Sequence, residues 1–143
     1  MTRASQTPRR RAREVAFRVA YQADQTHDSY TATWAVRREQ EPLNRDQREL
    51  VQDLVQLLEL RSGEVDEALR QTAEHWSLAR LSATDRSVLR AAVAELMCRP
   101  ATPARVILDE AIEIAKRYGS DQSGRFVNGV LDRVARRLRP GEF

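Results

Sequence analysis

The sequence predicts an all-α fold built from six or seven helices. Apolar residues recur at intervals of three and four along most of the chain, as the buried face of a helix requires. Residues that favour helix starts precede several of these segments, and the alternating runs typical of strands do not occur. The chain has only 5 glycines and 5 prolines among 143 residues, too few for a sandwich or barrel of many short strands. We therefore expect one helical domain of ordinary size.

Three helices are predicted in the first half of the chain. Thr7 as N-cap and Pro8 in the first turn open a helix that ends near Asp24. A weaker helix covers Ser29 to Arg38. Asn44 and Gln47 resemble a capping box, and the broad apolar face that follows ends before Gly63, a predicted helix stop.

Four further helices are predicted beyond Gly63. The first is short and has an acidic first turn. Ser82 with Asp85 resembles a second capping box, and Thr102 with Pro103 opens the next helix, which Gly119 ends. A last helix reaches Leu138. We expect residues 1–7 to form a disordered basic tail and residues 8–143 a single domain, with an N-terminal bundle over about 8–62 and a C-terminal bundle over about 63–139.

The basic residues are almost all arginine and are unevenly placed. Lys116 is the only lysine among 24 basic residues. Residues 1–18 contain six arginines and one glutamate, a net charge of +5, while the whole chain carries only +3. The remainder is therefore slightly acidic, at −2. A basic end on such a globule favours a patch that binds a polyanion.

Catalysis and metal binding have little support in the sequence. The histidines, His27 and His75, lie in polar segments without a nucleophile at motif spacing, and together with Cys98 they show no zinc-ligand spacing. No phosphate-binding glycine loop is present. We therefore expect neither an enzyme nor a cofactor. A lone cysteine and the absence of an apolar run long enough for a membrane span predict a cytoplasmic protein with no membrane partner.

The candidate binding residues cluster at the start of the first helix. Arg9, Arg10, Arg11 and Arg13 stand where the helix macrodipole disfavours positive charge, so we expect an external anion to offset them. Charge reversal of Arg10 and Arg13 is then expected to weaken binding and leave the fold intact. Tyr21 lies on the same side of the helix, and arginine beside aromatic rings suits single-stranded RNA.

A second group of arginines follows the last apolar stripe. Arg133, Arg136, Arg137 and Arg139 lie near a helix C-terminus, where positive charge is favourable, so the sequence assigns them no binding function. Gly129 inside this helix costs about 1 kcal/mol relative to alanine. It therefore predicts that another backbone passes close by.

Several segments of the chain resemble the NusB family of bacterial transcription antitermination factors. The most specific is FVNGVLD at residues 126–132, which follows a Tyr-Gly pair. The other matching segments are RRRARE at 9–14, AYQ at 20–22, WSLARL at 76–81, TDRSVLR at 84–90, EL at 95–96 and DEAIEIAKRYG at 109–119. Together they run almost from end to end of the chain.

The resemblance implies two small helical bundles packed roughly crosswise. It also implies binding to the boxA element of nascent ribosomal RNA leaders together with NusE, a small-subunit ribosomal protein, within the transcribing RNA polymerase complex and its other Nus factors. By matching position it implies that Arg9, Arg10, Arg11 and Arg13 contact phosphates and that Tyr21 and Phe126 are the aromatic contacts. Asp85 is implied on the partner face. The chain departs from the family at Gln122, where many members place an acid, which is expected to change RNA affinity.

Two other functions stay open at this point. NusB-like modules also precede some ribosomal RNA cytosine methyltransferases, although the length of the chain argues against that arrangement. A purely structural helical adaptor would require the arginine run to be inert. The sequence also leaves open whether the protein is a monomer or a homodimer.

Overall fold

The computed structural model describes residues 8–73 and 76–143. These contain six α-helices and two short 3-10 turns, and no strand, which confirms the all-α prediction. The helices are α1 (Pro8–Thr26), α2 (Tyr30–Arg37), α3 (Arg45–Arg70), α4 (Ala83–Cys98), α5 (Ala104–Tyr118) and α6 (Ser123–Leu138), and the 3-10 turns are Leu78–Arg80 and Pro140–Glu142. The predicted tail at residues 1–7, the Thr7 cap and His75 lie outside the described residues.

The predicted helix starts rest on side-chain caps. Asn44 and Gln47 form a complete capping box, each side chain accepting from the other's backbone N–H at 2.8 Å. Ser82 caps α4 by accepting from the Asp85 N–H at 3.1 Å. The Asp85 side chain does not complete a box there, because the short carboxylate makes no bond back to the cap. Both caps satisfy N–H groups that a helix start leaves unpaired.

The helix boundary predicted near Gly63 corresponds to a break that falls two residues earlier, at Arg61. α3 continues to Arg70 and bends at Arg61, whose backbone (φ −131°, ψ 30°) departs from helical values. Val65 and Leu69 beyond the bend are fully buried, as is Leu58 before it, so both parts of α3 are held by the same core. The described residues thus contain six helices, or seven when the two parts of α3 are counted separately, as the sequence predicts. A division into two bundles near residue 62 stays a prediction.

The buried side chains form one continuous core from α1 to α6. α1 packs against α3 and α4, and α4 in turn packs against α5 and α6, while α2 covers α1 and α3. This arrangement places the start of α1 beside carboxylates of α4 and α5. Within the described residues, every helix is too short or too polar to cross a membrane.

Arg139, one of the four arginines near the end of α6, is buried. Its guanidinium donates to the carbonyls of Leu96, Arg99 and Thr102, which closes the turn between α4 and α5. Glu142 pairs with Arg139 at 3.0 Å and accepts from the Ala104 N–H at 2.8 Å. The C-terminal segment thus caps α5, which has no side-chain cap of its own.

Candidate RNA-binding surface

The four arginines at the start of α1 divide into two pairs. Arg10 and Arg13 are buried, whereas Arg9 and Arg11 keep 41% and 47% of their side chains exposed. The division follows the helix repeat, since residues 10 and 13 share the face of α1 that packs on the core. Residues 9 and 11 flank that face.

The buried pair is bound by carboxylates from distant parts of the chain. Arg10 donates from Nε and Nη2 to Glu110 at 2.6 and 2.8 Å. Arg13 donates to Glu95 at 2.7 Å, and its Nη1 lies 3.6 Å from Glu110. The hydrogen bond to Glu110 raises the pKa of Arg10. The expectation that only an external anion offsets these charges is therefore wrong, because α4 and α5 supply the anions.

Direct phosphate contact by Arg10 and Arg13 stays a prediction. Their ion pairs give both residues a structural role, because they tie α1 to α4 and α5. The sequence signal for this role is weak: Glu95 and Glu110 are acids on otherwise apolar helix faces, and only the fold shows that arginines of α1 face them.

Arg9 and Arg11 are the accessible cations of the cluster. Arg9 donates from Nε and Nη2 to Asp46, both at 3.2 Å, and this hydrogen bond raises the pKa of Arg9. Arg11 Nη2 lies 3.5 Å from Glu41. A guanidinium carries five N–H donors, so each half-exposed group retains donors for a phosphate.

Tyr21 belongs to an aromatic cluster that joins α1 to α5. Phe17 is buried in this cluster, with its ring centroid 5.1 Å from that of Tyr118 and 6.2 Å from that of Tyr21. Arg18 lies 5.6 Å from the Tyr118 ring centroid and donates to its hydroxyl at 2.7 Å. Tyr21 is 39% exposed, so part of its ring is open to a stacking partner.

Phe126 lies apart from that cluster, in the first turn of α6. Its ring meets Trp76 edge-on, with the centroids 5.7 Å apart, and it is only partly buried. Trp76 was not among the predicted site residues, because it falls outside any helical stripe in the sequence. Gln122 immediately precedes α6 and is exposed.

Asp85 lies in the first turn of α4 and is half-buried. Its Oδ1 atom is buried and accepts no hydrogen bond from the described residues. Nearby on the same helix, Arg86 pairs with Asp24 at 2.8 Å and Arg90 with Asp66 at 2.9 Å. Asp85 is thus an acid without a partner of its own next to an arginine network that is internally paired.

These features define the class of protein. It is an all-α domain whose surface combines half-exposed arginines with half-exposed aromatic rings, and its described residues hold no group of three potential metal ligands. The model of the NusB family matches residues 10–136. The chain therefore belongs to the NusB family, a family of transcription antitermination factors that are not enzymes.

Relatives and solved structures agree with this assignment. The chain is 42% identical over 134 residues to the transcription antitermination protein NusB of Koribacter versatilis, covering 91% of this chain and 90% of the relative. The corresponding protein of Anaeromyxobacter dehalogenans (strain 2CP-1 / ATCC BAA-258) is 42% identical over 136 residues, covering 92% and 93%. The structure of NusB from T. maritima superposes with a TM-score of 0.86 at 37% identity, covering 95% of this chain and 96% of that one.

A fourth similarity is to NusB within an assembly. A crystal structure of the antitermination factors NusB and NusE in complex with dsRNA contains a chain that matches with a TM-score of 0.81 at 27% identity. The match covers 91% of this chain and 97% of that one.

Proposed function

We propose that the protein binds the boxA element of nascent ribosomal RNA leaders together with NusE and promotes read-through by RNA polymerase and its other Nus factors. The observation that carries the proposal is the pair of half-exposed guanidinium groups, Arg9 and Arg11, at the start of α1. Membership of the NusB family and the solved complex of a relative with NusE and RNA support it.

In this proposal the site residues act in two ways. Arg9 and Arg11 bind RNA phosphates, and Tyr21 and Phe126 stack on exposed bases, as single-stranded RNA allows. Arg10 and Arg13 hold the start of α1 on the core, so that the exposed pair is presented from a rigid helix. Recognition by one short basic patch is weak, which is why a second RNA-binding protein is needed.

Anisotropy titration of a labelled, boxA-like single-stranded RNA tests the phosphate contacts. If Arg9 and Arg11 each neutralise one phosphate, Arg9→Gln/Arg11→Gln lowers the steepness of log affinity against log salt by about 1.4. Arg61→Gln/Arg70→Gln removes the same charge from exposed local ion pairs on α3 and should keep the original slope. Equal slopes in both double variants would contradict the assignment of the patch.

Asp85 is proposed as a contact for NusE, because the resemblance to the family implies it on the partner face and the residue is partly exposed in the first turn of α4. Asp85→Asn should weaken NusE binding while leaving the affinity for RNA alone unchanged. Asp121→Asn, at an exposed position before α6, serves as the control.

The binding of RNA and of NusE must also be reciprocally coupled. If NusE tightens RNA binding tenfold, RNA tightens NusE binding tenfold, or by about 1.4 kcal/mol.

The two alternatives give different results in the same titrations. A structural adaptor would not bind the RNA at any salt concentration. An accessory module of a methyltransferase would bind RNA without any dependence on NusE. The relatives matched over nine-tenths of their own length are named transcription antitermination proteins, which favours the first function.

A further inference from the structure

One ridge of α6 combines an aromatic ring, a glycine whose backbone no side chain covers, and two arginines. Phe126, Gly129, Arg133 and Arg137 follow one another at intervals of three, four and four residues. On a helix of 3.6 residues per turn, residues 126, 133 and 137 fall within an arc of about 40°. Phe126 is half-buried and the other three are exposed, so the ridge borders the packed face and is open to solvent.

Gly129 has no packing neighbour among the described residues that would require a glycine. A Cβ built on it meets no described atom within 4 Å, so the predicted close approach of another segment does not occur within the described fold. The glycines at positions 119 and 124 differ, because a Cβ at Gly119 would clash with Ser123 Oγ and one at Gly124 would lie 2.7 Å from Lys116 Cγ. Alanine is a better helix former than glycine, so Gly129 lowers helix stability without a gain in packing.

Arg133 and Arg137 are not paired with acids of the described residues. Among the described residues no carboxylate lies within ion-pair distance of either guanidinium, whereas Arg136 pairs with Asp132 at 2.9 Å and lies 4.8 Å from the Phe143 ring centroid. The helix dipole accounts for a cation in the last turn, which includes Arg137. It does not account for Arg133, one turn earlier.

We propose that this ridge carries the single-stranded RNA onward from Phe126, a proposal that rests on the function proposed above. A base stacks on Phe126, the sugar-phosphate backbone crosses α6 at Gly129, and the guanidinium groups of Arg133 and Arg137 bind phosphates. The ridge spans eleven residue steps, or about 16 Å along the helix. That length accommodates about four or five nucleotides at a stacked rise of about 3.4 Å.

A stabilising substitution provides the sharpest test. Gly129→Ala should raise the melting temperature, since alanine favours the helix and meets no clash, and should weaken RNA binding because its methyl group intrudes on the strand. We expect an affinity about tenfold lower, equivalent to about 1.4 kcal/mol. Gly63→Ala on α3, where a Cβ also meets nothing within 4 Å, should raise the melting temperature without changing RNA affinity. Unchanged affinity in Gly129→Ala would overturn the proposal.

The phosphate contacts of Arg133 and Arg137 are tested by their contribution to the salt dependence of RNA affinity. Arg133→Gln/Arg137→Gln should flatten the salt slope by about 1.4, the contribution of two phosphates. Arg136→Gln on the same helix, whose guanidinium is already paired, should leave the slope nearly unchanged. A double variant that binds RNA like wild type but loses NusE would overturn the proposal in favour of a contact between this ridge and NusE.

The two proposals fail in different ways. If the wild-type protein does not bind the RNA at all, the proposed function is wrong, and so is the proposed RNA path along α6. If wild type binds, Arg9→Gln/Arg11→Gln is impaired, and the α6 variants behave as wild type, only the path along α6 is wrong.

Discussion

Arg13 donates from Nε and Nη2 to the two carboxylate oxygens of Glu95, at 2.8 and 2.7 Å, with both side chains more than nine-tenths buried. Glu110 lies 3.6 Å from the same arginine and accepts two hydrogen bonds from Arg10. Two arginines of α1 and one acid each of α4 and α5 therefore form a neutral cluster inside the protein. The cluster fixes the start of α1, on which the candidate RNA contacts stand.

Breaking one half of this cluster should be costly. Arg13→Met leaves the Glu95 carboxylate buried without its main partner, and such changes cost about 3–5 kcal/mol. The double variant Arg13→Met/Glu95→Leu removes both charges and should recover most of the loss. Urea unfolding of the three proteins checks this. A double variant as unstable as the single one would show that packing, rather than an unpaired charge, sets the cost.

Charge reversal should separate the buried arginines from the exposed ones. The sequence alone predicts that reversal of Arg10 and Arg13 leaves the fold intact, and the structure reverses that prediction. Arg10→Glu/Arg13→Glu would place four carboxylates together and should unfold the protein, as circular dichroism would register. Arg9→Glu/Arg11→Glu should keep the native spectrum and lose RNA affinity. A native spectrum for the first variant would contradict the buried network.

Acid should weaken the link between α1 and α4 through Asp24. Burial alone raises the pKa of Asp24, but the hydrogen bond from Arg86 and the charges of Arg86 and Arg90 outweigh it and lower the pKa below its usual value. A lowered folded-state pKa adds stability that is complete above about pH 4 and is lost as the pH falls through the folded value.

Denaturant unfolding at pH 7 and pH 3 tests this contribution. Wild type should lose more stability between the two pH values than Asp24→Asn, which lacks the titrating group. Asp121→Asn, at an exposed position, should behave like wild type. An equal loss in wild type and Asp24→Asn would assign the acid sensitivity to other carboxylates.

The end of α1 carries a small strain that a glycine should relieve. His27 has a φ of 62°, in the left-handed region, and its N–H donates to the Ala23 carbonyl at 2.8 Å to close the helix. A residue with a Cβ is disfavoured there, so His27→Gly should raise stability by about 1 kcal/mol. His27→Ala keeps the Cβ and should bring no such gain. Thermal melts of both variants give the comparison.

Leu54 should be among the most costly apolar positions to truncate. It is 1% exposed in the middle of α3, so Leu54→Ala should lower the free energy of unfolding by about 2–5 kcal/mol. Leu60 on the same helix is 81% exposed, and Leu60→Ala should change the free energy of unfolding little. A similar effect of both substitutions would mean that α3 presents a different face to the core.

The local features of this protein were predictable from sequence. Helix starts depend on residues three apart, as at Asn44 and Gln47, and buried faces depend on a repeat of 3.6 residues. The exact position of the break in α3 was not predictable in this way, because a glycine lowers helix stability only modestly and the break falls at Arg61 instead. Burial of Val65 and Leu69 against the rest of the core is sufficient to carry the helix past Gly63.

Sequence by itself determined the helical class, the family and the position of the basic patch, because each depends on neighbouring residues or on a motif. Only the tertiary structure decided which arginines of that patch are accessible. Arg10 and Arg13 meet acids that lie 100 and 82 residues further along the chain. No local pattern encodes such a pairing. An arginine whose charge is unfavourable at a helix start is stabilised equally well by an external phosphate or by a buried glutamate, and the packing of α1 on α4 and α5 supplies the glutamate.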